Sequence, residues 1–315
     1  MIFTIINNIQ FRDELGVVLR ALRDKRNGVA GSEDTNVVIV FSGGGARAIA
    51  SIGQALPLLE RGYDPSLFRA IVGNSAGAAV GLYFANGRDV FREGAYFFIN
   101  KLNRYISFRK PCTIFDVAGL IEAMRTGAAA ADINLAAPEP EAFLTGTVDE
   151  ENRFHLWDVY DKRWDAIEAS MLFRTAISRR KGILMDGHWY SDGGVFQAPL
   201  AQIAERTDAT HILFFANVTE GAAAKPTLAQ RYLAFEERIG RAKSSQATRQ
   251  AIKDSTRLAG IDSLRTRFPH IPVGVVWAPP FLRKLSMFRA RPQDLYDIFT
   301  ACKQDGYAKL NQYNC

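Results

Sequence analysis

Three glycine-bearing turns carry the residues best suited to covalent chemistry in this 315-residue chain. In Gly73-Asn74-Ser75-Ala76-Gly77 a serine stands between two glycines. A strand over Phe68 to Val72 is expected before it, and a small-residue segment from Ala76 toward Phe84 follows. Strand, sharp turn and helix in that order project a serine hydroxyl from the turn, with a helix N-terminus behind it. Such a serine is a candidate nucleophile; the plainer reading is a small residue that lets strand and helix pack closely. Gly43-Gly44-Gly45 follows another apolar run and offers successive unhindered N–H groups, which suit a developing oxyanion. A glycine loop in that place also suits a phosphate. No Lys-Ser/Thr follows at phosphate-loop spacing, however, and no Gly-x-Gly-x-x-Gly occurs there. Asp192-Gly193-Gly194 presents a carboxylate on a tight loop, placed to take a serine proton directly. Its plainer reading is turn initiation, the role expected of Asp186-Gly187.

The elements that must position these turns are legible from periodicity. Phe11, Leu15, Val18 and Leu22 fall at helical spacing and predict an amphipathic helix over 11–25. Asn36 to Phe41 is a continuous β-branched run, as expected of a strand buried on both faces of a parallel sheet. Ile52 to Arg61 reads as a helix that stops at Gly62, with Pro57 imposing a kink or a late start. Residues 88–125 are mostly helical in pattern, and 128–140 is an Ala/Pro-rich loop. Strands at 142–148 and 153–157 form a hairpin, 165–177 a helix, and 183–185 with 188–190 a second hairpin. Further strands are expected at 211–218 and 271–277, a long polar helix or helix pair at 227–258, and a closing helix at 292–310. Alternating strands and helices predict a parallel sheet, whose ligands and catalytic groups collect at the carboxyl ends of the strands. The glycine loop and Ser75 both fall at that edge.

Composition narrows the classes. With 48% hydrophobic and 23% charged residues the chain is ordinary globular material. No apolar run approaches the ~20 residues that span a bilayer, and the start Met1-Ile2-Phe3-Thr4-Ile5-Ile6 lacks the features of a signal peptide. A cytoplasmic or peripheral-membrane protein is expected. Cys112, Cys302 and Cys315 are far apart, have no metal-like spacing and imply no disulfide framework. The net charge of +6 divides into −3 for residues 1–220 and +9 for 221–315. That basic third either meets an anionic surface such as phospholipid or forms a solvated helix face. Nucleic acid is not expected as a partner.

Taken together, Gly43-Gly44-Gly45-Ala46-Arg47, Gly73-Asn74-Ser75-Ala76-Gly77 and Asp192-Gly193-Gly194, with Ala198-Pro199-Leu200 behind it, closely resemble the patatin-like phospholipase family. The resemblance spans about 36–202 and extends to the helix around Ala169-Ser170. It implies a three-layer α/β/α sandwich with a mainly parallel central sheet. It also implies a Ser–Asp dyad, with Ser75 as nucleophile, Asp192 as general base and an oxyanion hole at Gly43, Gly44, Gly45 and Arg47. Gly73, Gly77, Gly193 and Gly194 support the motifs. The implied activity is hydrolysis of lipid acyl esters through an acyl-enzyme, with no metal or organic cofactor. Acyl transfer on the same fold, or a lipid-binding scaffold, are the alternatives. The expected organisation is an N-terminal helix and loop at 1–35, a catalytic core at 36–202 and an extension at 203–315 that completes the same domain.

The chain departs from the family at Ala48, where members usually carry glycine, and at Pro57 within a helix. It also departs at Ser178-Arg179-Arg180-Lys181-Gly182, which replaces a proline-rich stretch. Arg179, Arg180 and Lys181 are either contacts for an anionic headgroup or an exposed turn. Tyr105, Phe108 and Phe115 with Arg104, Arg109 and Lys110 form either a membrane-facing flap or part of the core. A Ser-His-Asp triad would need His155, His188, His211 or His270, of which only His188 lies near a matching motif.

Overall fold

The computed structural model describes residues 2–106, 115–127, 133, 140, 142–149, 151, 153–172, 182–193, 199–220, 257–285 and 291–315. Helix α1 spans Ile2–Arg26, starting well before the expected residue 11. Leu15, Val18, Leu19 and Leu22 form its buried stripe, and Arg23, Lys25 and Arg26 complement the dipole in its last turn. Strand β1 (Val37–Phe41) is buried at every position, as its unbroken apolar run requires. A 3₁₀ turn over Gly45–Ala48 leads into α2 (Ile49–Glu60), which continues through Pro57 rather than starting late. Then follow β2 (Ala70–Asn74), α3 (Ala76–Ala85) and α4 (Gly87–Lys101).

The helical pattern expected over 88–125 is broken. A 3₁₀ turn at Leu102–Tyr105 and an isolated bridge from Ile106 to Phe115 separate α4 from α5 (Val117–Arg125). The hairpin β3 (Ala142–Val148) and β4 (Phe154–Asp158) is as expected. Helix α6 runs over Val159–Met171, six residues earlier than the predicted start at 165. Asp158, the last residue of β4, caps it by accepting a hydrogen bond from the Tyr160 amide at 2.9 Å. Strands β5 (Ile183–Met185) and β6 (His188–Asp192) meet about the Asp186-Gly187 turn. The remaining elements are α7 (Leu200–Thr207), β7 (His211–Ala216), α8 (Arg257–Arg267), β8 (Val273–Trp277) and α9 (Pro292–Gln312). The long polar helix expected at 227–258 falls outside the described residues, apart from the start of α8.

The strands form one eight-stranded sheet in the order β5-β6-β3-β2-β1-β7-β8, with β4 on β3. The central run β3-β2-β1-β7-β8 is parallel, and β4, β5 and β6 add antiparallel pairings at one side. Alternation along β1 sends Val37, Ile39 and Phe41 into a core shared with α1 to α6 and α9. Val38 and Val40 point instead into a second core with α7 and α8. The molecule is therefore helices, sheet, helices, and the strands contributed by residues 211–277 complete the same sheet. Among the described residues, no helix is long and apolar enough to cross a membrane.

Candidate functional site

Strand β3 sets the site. On one side it pairs with β4 throughout Leu144 to Val148. On its other side β2 accompanies it as far as the pair Asn74–Gly146, and β6 takes over at the next position with Asp192–Thr147. Because β2 runs parallel to β3 and β6 antiparallel, their carboxyl ends point at each other along one edge. Asn74, and Ser75 just beyond it, thus face Asp192 end-on.

The last residues of α6 reach both. Ser170, fully buried, accepts the Ser75 amide hydrogen at its Oγ over 2.9 Å. Two residues on, the Leu172 carbonyl accepts the amide hydrogen of Asp192, also at 2.9 Å. Ser75 itself sits at φ 55°, ψ −129°, a left-handed position costly for a side chain. Thr145 Oγ1 donates to the Gly73 carbonyl at 2.9 Å, so the turn is held on both sides of the serine. The half-buried Ser75 caps α3, where the helix dipole favours negative charge.

The supporting glycines are explained by close approach. A Cβ on Gly77 would lie 2.2 Å from the Phe41 carbonyl oxygen, and one on Gly73 2.3 Å from that of Gly77. A Cβ on Gly193 would lie 2.6 Å from the Gly146 carbonyl oxygen. Gly194 lies outside the described residues. The Gly43 Cα lies directly against the nucleophile turn: a Cβ built there falls 2.9 Å from Ser75 Cβ and 3.6 Å from its Oγ. Gly45 has φ +57° and starts the turn into α2. The Arg47 Nε donates to the Leu285 carbonyl at 3.0 Å. Burial lowers its guanidinium pKa from the ordinary value. Ala48, in place of the family's usual glycine, is fully buried with right-handed dihedrals (φ −59°, ψ −18°), so no glycine is needed there.

Residues that sequence reasoning did not single out brace this loop. Asn217, just past β7, donates from Nδ2 to the Ser42 carbonyl at 2.6 Å, and its amide donates to Ser42 Oγ at 2.8 Å. Its Oδ1 accepts from Ser51 Oγ at 2.7 Å and from the Ser51 amide at 3.3 Å. All three side chains are buried. The partners are separated by 166 and 175 residues, so no local motif announces them.

The four histidines lie on different elements. His188 opens β6 and is exposed. His211 begins β7 opposite Val37, at the far edge of the sheet, where burial lowers its pKa. His270 is exposed. The histidine nearest in register to Asp192 is His155, across Thr147 on β4, and its Nε2 is engaged by the buried Asp149 carboxylate at 3.0 Å. Burial pushes the Asp149 pKa up, but hydrogen bonds from Arg153, His155 and Glu151 outweigh it and the net shift is downward.

Arg179, Arg180, Lys181, Phe108, Arg109, Lys110 and Cys112 lie outside the described residues. Tyr105 and Phe115 pack against the core, Tyr105 on the Phe97 ring at 5.8 Å, which favours the core reading for these two. No group of three or more His, Cys, Asp or Glu side chains suited to a metal occurs among the described residues. A cleft of about 810 Å³ lined by Arg69, Leu144, Leu156, Asp158, Gln202 and Arg206 opens at the start of β2, away from Ser75.

The family model for patatin-like phospholipases matches residues 39–204. The crystal structure of VipD from Legionella pneumophila is similar at 12% identity and a TM-score of 0.44, over 89% of this chain and 67% of that one. No curated protein matches the sequence.

Proposed function

Since the chain belongs to the patatin-like phospholipase family, a family of lipid acyl hydrolases, we propose that it cleaves carboxylic esters of lipids with a Ser75–Asp192 dyad. The observation that carries this reading is the end of α6, where Ser170 holds the Ser75 amide and Leu172 that of Asp192. Two groups from distant turns are thereby tied to one helix end.

In the first step Ser75 Oγ adds to the ester carbonyl while Asp192 takes its proton. Negative charge builds on the former carbonyl oxygen, and the amides of Gly43, Gly44 and Gly45 stabilise it. Collapse expels the alcohol, which leaves with the proton from Asp192, and the acyl group remains on Ser75. Water, deprotonated by Asp192, then releases the fatty acid and regenerates the serine. The left-handed turn at Ser75 keeps the hydroxyl projecting throughout. The lipid substrate implies contact with a membrane or micelle surface, for which the basic side chains of the C-terminal third are suited.

A fluorophosphonate probe tests the reading. The expected result is one adduct per chain, located at Ser75 by mass spectrometry and absent from Ser75→Ala. An unlabelled, folded wild-type chain would remove the enzyme reading in favour of a lipid-binding scaffold.

A further inference from the structure

We propose that Asn217 is a positioning residue for the oxyanion loop: it aims the Gly43 amide at Ser75 by holding the other end of the same peptide plane. This inference rests on the hydrolase reading above and adds a residue to it.

Ser42 follows β1, and its amide donates to the Phe215 carbonyl, toward β7, at 3.1 Å. Its carbonyl faces the same way and accepts from Asn217 Nδ2 at 2.6 Å. A peptide group is planar and trans, so its C=O and N–H point in opposite directions. Fixing the Ser42 carbonyl toward β7 therefore turns the Gly43 N–H toward β2, the strand on the other flank of β1. Ser75 lies there, with the Gly43 Cα packed against its side chain.

Asn217 is itself fixed. Its Oδ1 takes both donors of Ser51 in the first turn of α2, and its amide donates to Ser42 Oγ. Asn217 is only 1% exposed, so these bonds are shielded from bulk water. The Gly44 Cα packs against it, a Cβ there falling 3.1 Å from Asn217 Cβ. One side chain thus spans the glycine loop, the first turn of α2 and the end of β7.

The test compares Asn217→Asp, Ser42→Ala and Ser51→Ala with wild type in the full chain. A soluble short-chain ester serves as substrate, with thermal unfolding and fluorophosphonate labelling as parallel measurements. Asn217→Asp keeps the shape and the acceptor for Ser51 but replaces the donor to the Ser42 carbonyl with an oxygen. It is expected to lower kcat by about 10²-fold, the scale of losing one oxyanion donor, with KM unchanged within a few-fold. Ser42→Ala and Ser51→Ala leave the Nδ2 bond in place and are expected to lose less than about tenfold in kcat, even where their Tm falls as far. If kcat losses instead track Tm across all three variants, or Asn217→Asp retains wild-type kcat, the positioning role is overturned. If wild type itself neither turns over ester nor labels at Ser75, the hydrolase reading fails instead, which is a separate result.

Discussion

The two ends of α2 are held by polar networks of opposite kinds. At its first turn, Ser51, Asn217 and Ser42 are neutral, buried and joined through short hydrogen bonds to one another and to main-chain groups. At its last residue, Glu60 is charged and gathers Arg92 of α4 at 2.6 Å, Lys303 of α9 at 2.9 Å and the Tyr307 hydroxyl. A carboxylate at a helix C-terminus opposes the dipole, so the two cations there are needed to offset it. The charged network joins three helices at the protein's rim, where long side chains tolerate small displacements. The neutral one joins backbone to backbone, and a displacement there would re-aim the Gly43 amide. At α2, the network proposed to set reaction geometry is thus buried and uncharged, while the one that fastens helices is ionic and reaches the surface.

This contrast predicts that damage at the two ends reads out differently. The largest effect is expected on the site side. Asp192→Asn preserves shape but removes the base, and ester hydrolysis should fall by about 10²- to 10⁴-fold with little change in Tm. A Tm drop of similar standing to the activity loss would make Asp192 a fold-holding residue like Glu60 and erase the contrast.

A smaller effect is expected at the rim. Burial pushes the Glu60 pKa up, but Lys303, Tyr307 and Arg92 outweigh it and bring it to about 2, below its ordinary value of 4.5. A carboxylate whose pKa is lowered by folding contributes stability above its unfolded pKa and loses it as pH falls through the folded value. Glu60→Gln should therefore lose about 1–3 kcal/mol near neutral pH, and its difference from wild type should shrink between pH 5 and 2. Urea titrations over that range check this. A pH-independent difference would mean that the charge of Glu60 is not what fastens α4 and α9. Activity per folded molecule should stay at the wild-type level.

The parts of the site that were legible in sequence are those whose physics is local. Gly-x-Ser-x-Gly needs only its own strand, turn and helix, and both glycines are indeed packed against carbonyls. Asp192 was legible through the motif that follows it, and β3 places it one position beyond Asn74. The brace was not legible, because Asn217 and Ser42 meet across 175 residues and neither lies in a repeating pattern. Ser170 was visible only as part of a matching helix, without its bond to the Ser75 amide. Helix α6 starts before the expected 165 because Asp158, which ends β4, also caps the helix. Of the two outcomes expected at Pro57, the late start does not occur: α2 begins at Ile49, passes through the proline and closes with Arg61 donating to the Pro57 carbonyl at 3.1 Å.

The central claim is that Ser75 forms and resolves an acyl-enzyme. It is tested most directly by phospholipid hydrolysis in wild type and Ser75→Ala, with circular dichroism recorded on the same samples. Matching spectra and a loss of about 10³-fold or more in the variant are expected. A folded Ser75→Ala chain that releases fatty acid at a rate near wild type would contradict it.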